Sequence, residues 1–225
     1  MDSTVSKSPV KLIAMTSPMD GKSAEEFIAY VARVSNPANQ DNLETVPRLI
    51  KYLIKNSHWS PFELCTFTVE IETSRAIAAQ ILRHRSFSFQ ELSQRYATGV
   101  DAIAPEVIKY PARRQDIKNR QNSIDDMLQA DKDWFESAQH EVETRALSLY
   151  DDAITRGIAK EQARFLLPLS TKTRIYMSGS VRSWIHYIQL RTEAGTQKEH
   201  RDIAEAIKVI FSEYYPAVAE ALEWQ

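Results

Sequence analysis

Between residues 64 and 73 the chain alternates. Cys65, Phe67, Val69 and Ile71 are apolar, while Thr66, Thr68, Glu70 and Glu72 are polar. A period of two predicts a strand with one buried face. A shorter apolar run, residues 10–15, predicts another strand, and residues 171–178 a third. Elsewhere the period is helical. Ser23 followed by Glu26 forms a capping box for a helix carrying Phe27, Ile28, Val31 and Val34, stopped at Asn36-Pro37. A second helix is expected over about 44–55. A third starts at Ser74, a good N-cap, and carries Ala76, Ile77, Ala79, Ile81 and Leu82. Residues 124–156 predict one long helix with an apolar stripe, closed by Gly157. A short helix around Ala159 and Ala163 follows, then one from Ser180 to Arg191. The last runs over about 197–222, with a break at Pro216. Pro61 makes 58–63 a turn or strand entry. Residues 97–123 read as irregular, with one short strand at most. The fold class expected is α/β of the α+β type: a mostly antiparallel sheet packed with helices, helix-rich and without a Rossmann domain. Residues 1–9 are expected to be a flexible tail, and 10–225 a single domain.

Composition narrows the function more than the fold. The 225 residues are 43% hydrophobic and 26% charged, with a net charge of −2. A near-neutral chain offers no broad basic surface for nucleic acid. The single cysteine, Cys65, permits no internal disulfide and falls on the apolar face of its strand, which predicts a packed thiol. No signal-peptide pattern and no membrane-length apolar run is present, so a cytoplasmic location is expected, with neither membrane nor nucleic acid as partner. The histidines have no zinc-site spacing, and no metal is expected. Gly21-Lys22-Ser23 resembles the end of a P-loop, but Thr16 stands where the required glycine should be. No G-x-G-x-x-G occurs, which excludes a Rossmann-type dinucleotide turn.

The candidate chemistry sits in residues 83–96. Arg83, His84 and Arg85 arrive together at the end of a helix. Ser86, Ser88, Gln90, Glu91, Ser93, Gln94 and Arg95 follow, interleaved with Phe87, Phe89 and Leu92. Basic residues at a helix C-terminus often only complement its dipole. A packed loop with this many donors, and with Gln80 one turn upstream, points instead to an anionic, hydrogen-bonding ligand. Two more arginines lie in apolar company: Arg164 in A-R-F-L-L-P-L, and Arg191 at the end of S-W-I-H-Y-I-Q-L-R. Each alone reads as half of a structural salt bridge.

Arg83-His84-Arg85, seven residues, Ser93 and then Arg95 resembles the signature of the flavin-dependent thymidylate synthases, and the resemblance extends over about residues 10–224. It implies reductive methylation of dUMP to dTMP, with carbon from 5,10-methylenetetrahydrofolate and reducing equivalents from NADPH through FAD. It implies a homotetramer with sites between subunits. By position, Gln80, Arg83, Glu91, Leu92, Ser93, Gln94, Arg95, Arg164 and Arg191 should bind dUMP. Arg191 should be catalytic, favouring ionisation of the uracil N3 without an enzyme thiol. Ser60, Glu63, Arg83, His84, Arg85, Glu91, Ser180, Arg182 and His186 should contact FAD, and His58 and Tyr96 the folate. Ser180 and His186 stand where amide side chains are common in relatives, Gly195 where a histidine is common, and Gln94 where a glycine is frequent. Ser93 has no evident base beside it and is expected to bind rather than attack. Two rival readings share the same residues: a non-catalytic nucleotide- or RNA-binding module, and a structural oligomer in which the arginines pair with Glu63, Glu70 and Glu72.

Overall fold

A computed structural model describes residues 8–95 and 105–224. Six strands and eight α-helices are present among them, and the fold is α+β with an antiparallel four-stranded sheet in the order β1-β2-β6-β3. The strands of that sheet are β1 (Val10–Met15), β2 (Thr66–Ser74), β3 (Ser88–Glu91) and β6 (Lys172–Ser180). The alternation works as expected: Cys65, just before β2, and Phe67, Val69 and Ile71 within it are all fully buried. Phe67 meets Trp184, Phe211 and Tyr215 edge to face. Truncating such a side chain to alanine costs about 3–5 kcal/mol. One core cluster draws on residues as distant as Val10 and Val218.

The helices covering this face are α1 (Ala24–Ala32), α3 (Arg75–Ile81), α6 (Val181–Arg191) and α7 (Lys198–Tyr214), with α2 (Val46–Lys55) and α8 (Pro216–Ala221) behind them. The capping box on α1 forms: Glu26 N–H donates to Ser23 Oγ at 3.2 Å, and Ser23 N–H to Glu26 Oε2 at 2.6 Å. The final helix divides at Pro216 as anticipated. Pro61 sits in a 3-10 turn, Ser60–Leu64. Gly157, at φ +79°, ends the long helix in the left-handed region that glycine tolerates.

Three expectations need correction. The stretch after Arg85 is not all loop, because Ser88–Glu91 pairs antiparallel with β6 as an edge strand. The interleaving of Phe87 and Phe89 with polar residues is itself the period of a strand. The long helix α4 is Gln129–Thr155; Ser123–Ile124 (β5) instead pairs with Arg114–Gln115 (β4) in a small hairpin within the segment expected to be irregular. The apolar stripe of α4 is largely uncovered, with only Ala146 and Ala153 buried. Trp134 is 69% exposed and Phe165, beyond α5 (Lys160–Ala163), is 75% exposed. Among the described residues no helix is long and apolar enough to cross a membrane.

The β2–β6 ladder positions the site. It runs from Thr66↔Ser180 to Ser74↔Lys172. Each strand ends in a serine that caps the next helix: Ser74 Oγ accepts from Ile77 N–H, and Ser180 Oγ from Ser183 N–H. Antiparallel strands therefore launch α3 and α6 from opposite ends of one ladder. The ladder is about 26 Å long, and α3 and α6 are about 10 and 16 Å. Two helices of those lengths, folded back along the ladder, meet tip to tip.

Candidate functional site

The meeting point is the first part of the site. Arg191, the last residue of α6, donates from Nε to His84 Nε2 at 2.8 Å, just past the end of α3. Arg83 and Arg85 flank this contact and are exposed. Among the described residues neither guanidinium has a carboxylate partner. Two helix C-termini help to tolerate three cations here, yet the cluster keeps unspent charge. Burial first, and then Arg191, His186 and Arg83, push the His84 pKa down to about 4. The imidazole is therefore neutral near pH 7, which lets its Nε2 accept from a guanidinium that never deprotonates.

A cavity of about 390 Å³ opens beside this point, lined by Trp59, Glu63, Ser86, Arg182, His186 and Gln189 among others. Glu63 is its acceptor. The Ser180 hydroxyl donates to it at 2.5 Å and Arg182 at 2.7 Å. The Ser180 bond first, and Arg182 after it, hold this carboxylate below the usual range. Carboxylate, hydroxyls, guanidinium and imidazole thus line the same cavity as the apolar Trp59 and Ile185. Such a set suits a ligand that is part flat and apolar, part polyhydroxylated and anionic.

The remaining expected residues fall elsewhere. Glu91 lies at the opposite end of α3, where its Oε1 accepts from Arg75 and from the Thr173 hydroxyl, both at 2.9 Å. Arg75 also donates to the Leu92 carbonyl at 2.8 Å. The loop through Ser93, Gln94 and Arg95 leaves from that end, and Ser93 Oγ accepts the Arg95 N–H at 3.3 Å. Gln80 donates to Gln197 at 2.6 Å. Gln197 borders a second cavity, about 530 Å³, between the β4–β5 hairpin, α4 and the start of α7. Arg113 stands in its wall, bonded to Ser123 Oγ at 2.9 Å and paired with Glu199. Arg164 packs over Phe165 in a 3-10 turn against α4. Ser60 is exposed on its turn, and His58 stands edge-on to Tyr52. Tyr96 lies outside the described residues. Within one chain the expected set is therefore not a single cluster. His84 and Arg191 are bonded, Glu63, Ser180 and Arg182 are bonded, and Glu91 with Leu92 forms a separate group.

Sequence reasoning placed Ser86 in the candidate stretch without giving it a role, and gave none to Trp59, Ser183 and Gln189. A usable signal existed for two of them, since Ser183, His186 and Gln189 recur at three-residue spacing and share a face of α6. For Tyr187 and His200, which back the site, no such signal exists.

The sequence pattern of the thymidylate synthase complementing protein family matches residues 11–217. The chain belongs to that family. A protein of Paramecium bursaria Chlorella virus 1, described as a probable flavin-dependent thymidylate synthase, is 54% identical over 216 residues, 95% of this chain and 98% of that one. The flavin-dependent thymidylate synthase of Synechocystis sp. is 53% identical over 220 residues, 96% and 99% of the two chains. The enzyme of that name from Thermus thermophilus is 31% identical over 206 residues, 91% of this chain and 74% of the other. As a family member with near full-length coverage, the chain carries the Arg83-His84-Arg85 motif at the point where its two capped helices meet.

Proposed function

We propose that this chain converts dUMP to dTMP, using 5,10-methylenetetrahydrofolate as the carbon source and NADPH-reduced FAD as the source of reducing equivalents. Family membership makes it an enzyme of the flavin-dependent thymidylate synthase type. The observation that carries the finer reading is the Arg191–His84 bond set between Arg83 and Arg85. It offers fixed, positively charged donors in the number that a nucleotide anion needs.

The donor set fits a flavin dinucleotide. Glu63 would accept from ribose hydroxyls or an amine. Arg182 and Arg85 would meet the diphosphate, and Trp59 and Ile185 would floor a ring. Ser86 lines the cavity and follows Arg85 directly, so the basic tripeptide borders it. When bound, the flavin supplies the two-electron reduction. The chain's own part is to bind and orient. With Nε committed to His84, the outer nitrogens of Arg191 are left to face a uracil carbonyl and its N3, and a cation there favours the N3 anion. Arg83 would take the phosphate. Cys65 supports a route without a thiol nucleophile: it is fully buried, and burial pushes its pKa up to about 12. Ser93 binds rather than attacks, since its oxygen accepts a backbone N–H and no base stands next to it among the described residues.

The separated groups are reunited in a homotetramer with sites between subunits. The uncovered apolar stripe of α4 and the exposed Phe165 are the surface such an assembly would bury. Arg164 and the loop after Glu91 would then reach a neighbour's Arg191. A cytoplasmic setting suits the single, buried, free cysteine.

The test is spectroscopic. Purified protein should be yellow or take up FAD, bleach with NADPH, change its flavin spectrum on adding dUMP, and make dTMP only with methylenetetrahydrofolate present. A colourless protein that FAD cannot reconstitute would remove the reading. A fully active monomer by light scattering would remove the shared site.

A further inference from the structure

Behind the arginine–imidazole contact lies a polar pair that belongs to neither the basic motif nor the cavity. The Tyr187 hydroxyl and His200 Nε2 are 3.1 Å apart, and both residues are fully buried. The Tyr187 ring meets the His84 ring nearly edge-on, centroids 4.9 Å apart and planes at 76°. His200 stands 6.2 Å from His84 at 84°, and Phe87 closes a third side at 6.4 Å and 87°. Three rings therefore fence the imidazole, and its Nε2 is turned to Arg191. Because that guanidinium always donates, His84 must carry its proton on Nδ1, an assignment made from the bond.

We infer that Tyr187 and His200 are positioning residues for Arg191, acting through His84. The inference rests on the proposal that Arg191 meets the uracil. Tyr187 lies one turn before Arg191 on α6, and His200 lies on α7. The hydrogen bond between them ties the two helices together and sets the Tyr187 ring. That ring sets the plane of the imidazole. The imidazole then holds Nε of Arg191 and leaves the outer nitrogens aimed at a ligand. Neither partner touches substrate or cofactor in this scheme.

The fence also governs protonation. Arg191, His186 and Tyr187 face His84 from α6, Arg83 from its own segment, and His200 from α7. Burial is the largest cause of its depressed pKa, ahead of the three cationic or ionisable neighbours Arg191, His186 and Arg83. Opening the fence admits water and lets the His84 pKa climb toward the ordinary value. A protonated imidazole has no lone pair for Arg191, so activity would be lost on the acid side and kept on the alkaline side.

The experiment uses the FAD-saturated holoenzyme, with kcat and KM for dUMP measured across pH in wild type, Tyr187→Leu and His200→Leu. In either variant kcat should fall about tenfold relative to wild type near pH 5.5, where a histidine of pKa about 6.5 is some nine-tenths protonated, and return to within about twofold near pH 8. KM for NADPH should not move. His200→Leu fills the buried slot with an apolar side chain and serves if Tyr187→Leu does not fold. If neither folds, Tyr187→Phe, which keeps the ring and drops only the hydroxyl that ties it to His200, should show an acid-side loss in the same direction but smaller. A loss that is uniform across pH, or no loss, overturns the inference. Arg191→Ala separates the two levels. If it turns over dUMP at the wild-type rate, the role given to Arg191 fails. If it is inactive while the Tyr187 and His200 variants keep the wild-type pH profile, only the positioning fails.

Discussion

Gly179 offers a test of how tightly the sheet is coupled to the site. It pairs with Phe67 in the β2–β6 ladder, and the Phe87 ring lies directly on it. A Cβ added at 179 would stand 2.5 Å from Cδ1 and 2.6 Å from Cε1 of Phe87. Carbon atoms settle at about 3.5–4.0 Å, so the ring must retreat by about 1 Å. It has little room. Trp184 is 4.7 Å away, Tyr187 5.8 Å and Phe89 6.3 Å, centroid to centroid. Overpacking of this kind costs about 1–3 kcal/mol. The stiffer unfolded chain of an alanine variant returns about 0.4–1 kcal/mol. A net loss of about 1–2 kcal/mol lowers Tm by about 2–8 °C in a chain of this length. Gly179→Ala should be compared with wild type by thermal unfolding at one fixed FAD concentration, because a ligand bound to the folded state raises Tm by mass action. The double variant Gly179→Ala with Phe87→Leu gives the cause. If crowding is responsible, the added methyl costs nothing once the ring is gone, and the double variant is as stable as Phe87→Leu alone. An unchanged or higher Tm for Gly179→Ala, or costs that simply add in the double variant, would refute the reasoning.

Cys65→Ala should keep turnover within about twofold while losing about 1–2 kcal/mol of stability to the vacated space; inactive but folded protein would restore a thiol mechanism. Glu63→Gln should weaken flavin retention through gel filtration. Its pair with Arg182 is 41% and 52% exposed, so the salt bridge itself is worth no more than about 1 kcal/mol and Tm should barely move; full flavin occupancy in this variant would argue against Glu63 as the cavity's acceptor. Acid should destabilise the fold from about pH 6.5 downward. Burial pushes the His200 pKa down to about 3, so between the two values the unfolded chain binds a proton that the folded one refuses. Stability then falls as pH falls, by about 1.4 kcal/mol per unit for that proton. His84, also depressed, adds in the same direction. Urea midpoints measured across this window should flatten in His200→Leu, and an unaltered pH slope would contradict the assignment.

Much of the scaffold was written locally. Ser23 with Glu26, Ser74, Ser180, Gly157 and Pro216 each act within one turn of themselves, and all end or begin elements where expected. The alternation from Cys65 to Ile71 named the buried face residue by residue. Strand β3 was missed because four residues of alternation beside a charged tripeptide read equally well as a packed loop. Only the β6 edge, supplied from far along the chain, makes it a strand. The stripe on α4 was legible, yet among the described residues little packs against it, and only Ala146 and Ala153 are buried.

The site divides along the same line. The types of residue and their spacing, Arg83-His84-Arg85 followed by Ser93 and Arg95, were enough to announce a family, because they are close along the backbone. Tertiary structure alone decided that Arg191 bonds His84 and that Tyr187 with His200 closes behind them. It also decided that Glu91 spends its carboxylate on Arg75. Those contacts depend on two helices of particular lengths meeting over one ladder. That geometry is a sum over many strand and helix residues, and no short stretch of sequence carries it.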